Sequence, residues 1–223
     1  MVVPVLLFSV IAHEYAHGYV ALRQGDNTAL MLGRLTWNPV RHIDPFMTLL
    51  LPLLLWYVSG GRMLLGGAKP VPVNPNNYRN FKRGDILVSL AGVCTNLLIA
   101  LGCVALLPVF GLLGRSVSSL ESSFGILQAM MIIGVQLNMV LIAFNLIPIP
   151  PLDGSHVMKY LLPASLSFRY MQVSRYGIIV LVLLLYVAPG VLQTWMNPAL
   201  YAGEKMVDTF DHFRLPSSRQ WVR

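Results

Sequence analysis

Charged residues are scarce in this chain of 223 residues. Asp, Glu, Lys and Arg together make up 11% of it, whereas hydrophobic residues make up 56%. A soluble domain averages roughly 25% charged residues. The runs 86–113, 122–152 and 176–203 contain no charged residue, and each is longer than the ~20 residues that cross a bilayer as a helix. The composition therefore predicts a polytopic membrane protein and argues against a soluble domain.

Cysteine and N-terminal basic residues are also nearly absent. Cys94 and Cys103 are the only cysteines and lie in one apolar run without metal-site spacing, so we expect buried packing residues. No Lys or Arg precedes Arg23, so the first apolar segment lacks the basic region of a signal peptide. Repeats and low-complexity segments are missing too. We expect one membrane domain at residues 1–203 and a polar C-terminal tail at 204–223.

Five hydrophobic segments are present, at residues 2–22, 46–58, 86–113, 124–146 and 177–195. Two of the connectors between them have unusual patterns. GRLTW, from Gly33, has a β-like composition, and KPVPVNP, from Lys69, has prolines two residues apart. Because proline cannot donate in a sheet interior, KPVPV is predicted to be an edge strand or an extended loop.

A metal-binding pattern lies inside the first segment. HEYAH, from His13, fits H-E-x-x-H; positions i and i+4 share one face of a helix, where two imidazoles can bind one zinc ion. Zinc lowers the pKa of a bound water to about 7, and Glu14 could take that water's proton. Ionisable groups at mid-bilayer cost roughly 2.5–3.5 kcal/mol each unless compensated. A satisfied polar cluster between helices is the alternative interpretation.

A zinc hydrolase needs a third protein ligand beside one open position. Asp153 is the leading candidate, at the end of NLIPIPPLDG, where Pro148, Pro150 and Pro151 prevent helical hydrogen bonds. A membrane tolerates such an unwound stretch where it faces protein or a water-filled cavity. Spacing alone would favour a simple turn or helix N-cap at Asp153. His156 is a rival by residue type, which we interpret as facing headgroups or supporting the site.

HEYAH followed by NLIPIPPLDG resembles the site-2 protease family of intramembrane zinc metalloproteases. NPVRHIDP, GGAKPVPVNP and LAGVCTN resemble further stretches of its compact bacterial and archaeal members, which have no PDZ domain. The resemblance covers about residues 2–157. It implies that His13, His17 and Asp153 bind one Zn²⁺ ion, that Glu14 is the general base, and that Asn145 holds substrate or the developing oxyanion.

Two positions depart from the pattern of that family. Val93 stands where the family commonly has proline, and Gly67 stands where an aromatic residue is common. We expect both differences to affect packing or substrate fit rather than the chemistry.

The implied ligands constrain the topology. His13 and His17 lie in the C-terminal half of the first segment and Asp153 at the C-terminal end of the fourth, so these two helices must run in the same direction. Segment 46–58, short and interrupted by Pro52, is then re-entrant or partial. The predicted fold is an all-α polytopic membrane protein with about four full transmembrane helices, one short re-entrant or partial segment and small β-like membrane-associated loops.

Charge counting sets the predicted orientation. With segment 46–58 re-entrant, 11 of the 16 Lys and Arg residues share one side of the membrane, which the positive-inside rule makes cytoplasmic. We therefore expect a multi-pass protein of the plasma membrane with its active site toward the cytoplasm. The net charge of +7 comes from short connectors, so we expect the lipid bilayer and no nucleic acid as a partner.

The resemblance implies an intramembrane zinc metalloprotease that hydrolyses a peptide bond within or near the transmembrane segment of a single-pass membrane protein. KPVPV could pair with an unwound substrate as an added strand. The alternative function is a membrane transporter or metal-binding scaffold with a non-catalytic cation site. Transporters usually carry paired, repeat-related broken helices, and the sequence offers one. A soluble zinc protease is excluded by the uncharged runs, and the oligomeric state is left open.

Overall fold

The structure is a computed structural model that describes residues 1–45, 50, 53, 57 and 68–221. Regular structure in this part of the chain is helical. The longer helices are α1 (Val2–Gln24), α2 (Thr28–Met31), α3 (Phe81–Ser116), α4 (Glu121–Asn145), α5 (Asp153–Leu161), α6 (Ala164–Val173), α7 (Gly177–Val187) and α8 (Pro189–Asp208). Short 3₁₀ turns lie at Pro39–His42, Pro75–Asn77, Ser118–Leu120, Ser174–Tyr176, Asp211–Phe213 and Pro216–Gln220.

Four helical stretches are long and apolar enough to cross a membrane: Val2–Gln24, Phe81–Ser116, Ser118–Asn145 and Ala164–Val187. The predicted all-α polytopic membrane fold is confirmed. The first, third and fourth hydrophobic segments correspond to α1, α3 and α4. Most of segment 46–58 lies outside the described residues, as does Gly67, so the re-entrant segment and the effect of Gly67 stay predictions.

The fifth segment was predicted with the wrong bounds. The spanning stretch is Ala164–Val187, which begins earlier than residue 177, and the helix breaks at Ala188, where φ is −133° and ψ is 54°. Pro189 then starts α8. A proline cannot supply the helical N–H and disfavours helical geometry in the residue before it, but it suits the first position of a new helix. Hydropathy runs on across this break, which is why the sequence prediction missed it.

The two β-like connectors form no strand within the described residues. GRLTW lies in turns and bends, and residues 68–74 are irregular. Of the two alternatives for KPVPV, the extended loop is the one observed. Pro70 and Pro72 have no N–H for a ladder, and the other backbone groups around them are bonded to side chains and to the His42 carbonyl.

The described chain divides into two compact units. We call residues 10–92 the histidine unit; it contains most of α1 and the start of α3. Its small core consists of Ala21, Tyr78 and Val88, with Val20 and Val73 packed against them. This core joins the second half of α1 to the first turns of α3.

Asp26 is a buried hub of the histidine unit. It is fully buried, and its carboxylate accepts hydrogen bonds from Thr28 N (3.1 Å), Asn77 Nδ2 (2.8 Å), Asn74 N (2.7 Å) and the Thr28 hydroxyl. Burial raises the pKa of this carboxyl, but the hydrogen bonds outweigh burial, and the net pKa lies below its ordinary value of 3.8. Through these hydrogen bonds, Asp26 links the segment after α1 to the segment that follows KPVPV.

The other unit, which we call the bundle unit, contains Met1–Ser9 and Val93–Arg223. Helix α4 packs against α8 and against the 3₁₀ turn Pro216–Gln220. The main core draws on α3, α4 and α8; its buried members are Ala100, Cys103, Leu107, Ile132, Val135, Met139 and Val207. Cys103 is buried as predicted, whereas Cys94 is exposed, contrary to prediction. Val93 is buried within α3, in keeping with a packing role.

The segment predicted as a polar tail is folded against α4 as far as residue 221. Helix α8 continues past residue 203 to Asp208. Gln128, fully buried on α4, donates to Leu107 O (2.9 Å) and Phe213 O (3.0 Å) and accepts from Leu215 N (2.9 Å). Leu215 and Ser218 are themselves buried. The Gln128 amide thus satisfies backbone groups of both helix α3 and the C-terminal segment.

Candidate active site

Helix α1 brings His13 and His17 together on one face, as the i, i+4 spacing predicts. Their Nε2 atoms are 3.0 Å apart. The two rings meet edge to face, with centroids 4.6 Å apart and an interplanar angle of 82°. His13 is buried and His17 is half-buried. The sequence motif therefore forms a local pair of converging imidazole nitrogens inside the histidine unit.

The tautomer of His17 follows from its other nitrogen. Nδ1 lies 2.7 Å from the carbonyl oxygen of Val88 on α3. A carbonyl only accepts hydrogen bonds, so Nδ1 carries a proton and donates it, and in the neutral form of the ring Nε2 would then have the lone pair. Metal-ligating histidines characteristically donate the second ring nitrogen to such a carbonyl or carboxylate. The Val88 carbonyl thus fixes the orientation of the His17 ring.

The pair fits a zinc ion. Two nitrogens at 2.0–2.1 Å from a tetrahedral zinc would lie about 3.3 Å apart, close to the observed 3.0 Å between the Nε2 atoms. The pair could also share one proton in an N–H···N hydrogen bond. The distance between the two Nε2 atoms is compatible with either arrangement.

Gly92 gives the His13 ring its space. A Cβ built on Gly92 would overlap the ring, at 2.5 Å from Nε2 and 2.6 Å from Nδ1. Contacts of this length do not occur between real atoms, so only glycine lets α3 approach the imidazole here. Gly92 belongs to the LAGVCTN stretch, but the sequence pattern predicted no role for this residue.

Glu14 lies between the two histidines in sequence and is half-buried. Its Oε2 accepts a hydrogen bond of 2.8 Å from the backbone N–H of Val71, in the KPVPV segment. A carboxylate has two oxygens and about four acceptor positions. Oε1 is the carboxylate oxygen that this hydrogen bond does not involve.

Asp153 belongs to the bundle unit and follows the predicted break. Residues 146–152, after the end of α4, are turns and bends, as the prolines predict. Asp153 is the first residue of α5, with Leu152 as the N-cap, so the N-cap interpretation of Asp153 is wrong. A carboxylate in the first turn is stabilised by the helix dipole. A Cβ on Gly154 would overlap the Leu146 carbonyl, so glycine allows α5 to start close to the end of α4.

Asn145 is the last residue of α4 and is half-buried. Its Nδ2 donates to Leu141 O at 2.9 Å, which fixes the amide against its own helix. The second N–H of Nδ2 and the oxygen Oδ1 are further hydrogen-bonding groups of the same amide. His156, the rival ligand, is half-buried on α5, one turn after Asp153.

The structure brings His13, Glu14 and His17 together in the histidine unit, and Asn145 and Asp153 belong to the bundle unit. Four contributors were missed by the sequence analysis: the Val88 carbonyl, Gly92, the Val71 amide and Trp195. The Trp195 indole donates to Ala143 O (2.9 Å), near the end of α4. Backbone groups leave no residue-type signal, so only Gly92 and the Trp195 side chain could have been suspected.

Comparison with known proteins decides the family. The sequence profile of Peptidase family M50 matches residues 1–187. The chain belongs to this family. The resemblance to site-2 proteases is thereby confirmed, and the M50 chain is a metalloendopeptidase. This assignment favours the protease over the transporter or metal-binding scaffold.

Curated relatives agree with the M50 assignment. The chain is 37% identical over 202 residues to the Bacillus subtilis (strain 168) protein named "Putative zinc metalloprotease YwhC", covering 91% of this chain and 86% of that protein. It is 30% identical over 196 residues to the Mycolicibacterium smegmatis protein named "Putative zinc metalloprotease Rip2", covering 87% and 69% respectively. No solved structure matches the chain significantly. Family and helices together indicate a multi-pass membrane metalloprotease.

Proposed function

We propose that this M50 peptidase hydrolyses a peptide bond within or near the transmembrane segment of a single-pass membrane protein, with one zinc ion held by His13, His17 and Asp153. The observation that carries the proposal is the histidine pair. Its Nε2 atoms are 3.0 Å apart and its second histidine is oriented by a backbone carbonyl, inside a helix long and apolar enough to cross a membrane. The third ligand is supported by the family resemblance of NLIPIPPLDG.

The chemistry divides between the metal and the side chains. When bound, zinc supplies a Lewis acid and a nucleophile at neutral pH. Glu14 takes the proton of the attacking water on Oε1 and returns it to the leaving amine nitrogen. Asn145 donates its second amide N–H to the developing oxyanion or binds the substrate backbone. Each of these groups must be held by its neighbours within a small fraction of an ångström to act together.

The substrate must be unwound before water can reach it, because a helix protects its own peptide bonds. The break at residues 146–152 provides non-helical backbone at the end of α4, and Asn145 stands at its start. KPVPV was predicted to add the substrate as a strand. Several of its backbone groups are already hydrogen-bonded within the histidine unit: the N–H groups of Lys69 and Val71 and the carbonyls of Lys69 and Pro70. Strand addition is therefore restricted to the residues after Val71.

The function is tested by metal content and cleavage together. Purified protein in detergent is expected to contain one zinc per chain and to cleave a synthetic peptide with about 20 apolar residues and a central Gly-Pro pair that weakens its helix. Asp153→Ala should lose the zinc and the cleavage, since it removes one of three ligands. Asp208→Ala, at an exposed carboxylate of α8, is the matched control and should keep both.

Two outcomes would contradict this proposal. Wild-type zinc affinity in Asp153→Ala would place the third ligand elsewhere, with His156 the next residue to replace. Bound zinc without cleavage of any transmembrane peptide would support the metal-binding scaffold instead.

The orientation in the plasma membrane is a further part of the proposal. With segment 46–58 re-entrant, connectors 23–44, 59–85 and 153–175 share the cytoplasmic side and residues 114–121 face the opposite side. Reporter domains fused after Asp44 and after Ser59 should therefore report the same side of the membrane, and one fused after Gly114 should report the opposite side. If the fusions after Asp44 and Ser59 report opposite sides, segment 46–58 crosses fully and the proposed placement of the zinc toward the cytoplasm fails.

A further inference from the structure

Residues 69–73, which we call the strap, contact the candidate general base. The Val71 N–H donates to Glu14 Oε2 at 2.8 Å. Val71 is 5% exposed, and the hydrogen bond is partly buried. A hydrogen bond between an N–H and an ionised carboxylate is roughly twice as strong as one between neutral groups. The contact joins two segments 57 residues apart in the sequence.

The strap is itself held in place by three further hydrogen bonds, which involve His42 and Arg34. Lys69 N donates to His42 O at 2.8 Å. Arg34 Nη2 donates to Lys69 O at 3.0 Å and, more weakly, to Pro70 O at 3.4 Å. These bonds fix the backbone immediately before Val71. The direction of the Val71 N–H is therefore set independently of its contact with Glu14.

Packing against α1 sets the distance between the strap and Glu14. A Cβ on Gly18 would lie 2.8 Å from Cγ1 of Val71 and 3.1 Å from Cδ1 of Leu35. Gly18 is one turn after Glu14 on α1, so its missing side chain lets Val71 rest on the helix. Pro70 and Pro72 restrict the backbone on either side of Val71. The strap is a rigid element rather than a free edge.

We propose that the Val71 amide is a positioning group for peptide hydrolysis. It holds Glu14 Oε2 and so leaves Oε1 as the oxygen that meets the attacking water. Without this donor the carboxylate could rotate, and fewer molecules would have the base in place at the moment of reaction. This inference rests on the proposed role of Glu14 as general base.

Replacing the donor is the direct test. Val71→Pro removes the N–H and the side-chain branch and puts a ring methylene where the hydrogen faced Glu14, so the donor is lost; the position already lies between two prolines. We expect kcat for the synthetic transmembrane peptide to fall about 10- to 100-fold, as for other groups that orient active-site residues, with KM and zinc content unchanged. Val71→Ala keeps the N–H and should lose much less. Ala68→Pro adds a proline to the same segment without removing the donor and should behave as wild type.

The kinetic pattern separates this proposal from its competitor. If the strap served as a strand for the substrate, Val71→Pro would raise KM and leave kcat unchanged, which would overturn the inference. Arg34→Gln is a second variant that loosens the strap but keeps the Val71 amide, and an intermediate fall in kcat is expected. Wild-type kcat in both variants would also overturn the inference.

A measurement independent of activity tests the contact itself. The unfolding midpoints of Val71→Pro, Glu14→Ala and the double variant form a cycle. The two effects should be non-additive, because either change removes the same hydrogen bond; additive effects would overturn the inference. If Glu14→Gln kept full cleavage while this coupling persisted, the proposed function of Glu14 would fail although the contact is real. If Glu14→Gln abolished cleavage and the coupling were absent, only the inference would fail.

Discussion

Glu14→Gln is expected to keep the zinc and to abolish cleavage. Gln has nearly the shape of Glu, and its amide oxygen can still accept the Val71 N–H that Glu14 accepts now. It cannot take a proton from water, because an amide is not basic at neutral pH. General base catalysis typically contributes about 10²- to 10⁴-fold to a rate, so kcat should fall by at least that range. Metal analysis and single-peptide cleavage assays on the same preparation measure both properties.

Glu204→Gln is the matched control for that variant. Glu204 is exposed on α8, and its replacement should change neither zinc content nor kcat. Cleavage that survives in Glu14→Gln with zinc bound would show that another group removes the proton. Loss of zinc together with cleavage would show that Glu14 holds the histidine pair in place rather than moving a proton.

Gly92→Ala should displace the His13 imidazole and weaken zinc binding. The new methyl group would sit 2.5 Å from Nε2 and 2.6 Å from Nδ1 of His13, so either the ring or helix α3 must move. Overpacking of this kind costs about 1–3 kcal/mol of stability. Because the ring supplies a ligand atom in the proposed zinc site, we expect zinc affinity to fall about 10- to 100-fold. Competition with a metal-binding dye measures the affinity, and thermal unfolding in detergent measures the stability.

Gly102→Ala isolates the steric effect. Gly102 lies ten residues later on the same helix, and a Cβ there meets no atom within 4 Å. Alanine has a higher helix propensity than glycine, by about 1 kcal/mol, so this variant should be at least as stable as wild type and bind zinc equally. Equal zinc affinity in Gly92→Ala and Gly102→Ala would mean that the His13 ring is not confined by α3.

Most of the features that the sequence predicted correctly depend on local sequence patterns. The first, third and fourth spans followed from uncharged runs, because a bilayer demands a continuous apolar helix. The break after Asn145 followed from three prolines, and the convergence of His13 and His17 followed from the helical repeat. Each of these depends on residues within a few turns of one another. The predicted end of the fifth span was wrong because hydropathy continues across Pro189, although the proline itself is a signal for a helix end.

The sequence by itself determined the membrane class, the convergence of His13 and His17 on one helix face, and the resemblance to the family to which the chain belongs. Only the tertiary structure decided how the pair is supported. The Val88 carbonyl that orients His17 lies 71 residues away in the chain, and the Val71 amide lies 57 residues from Glu14. Every residue carries a carbonyl, and all but proline carry an amide N–H, so neither group marks its position in a sequence. Gly92 leaves space for the His13 ring because it lacks a side chain. That space matters only because α3 packs against α1 at this point, which the sequence does not show.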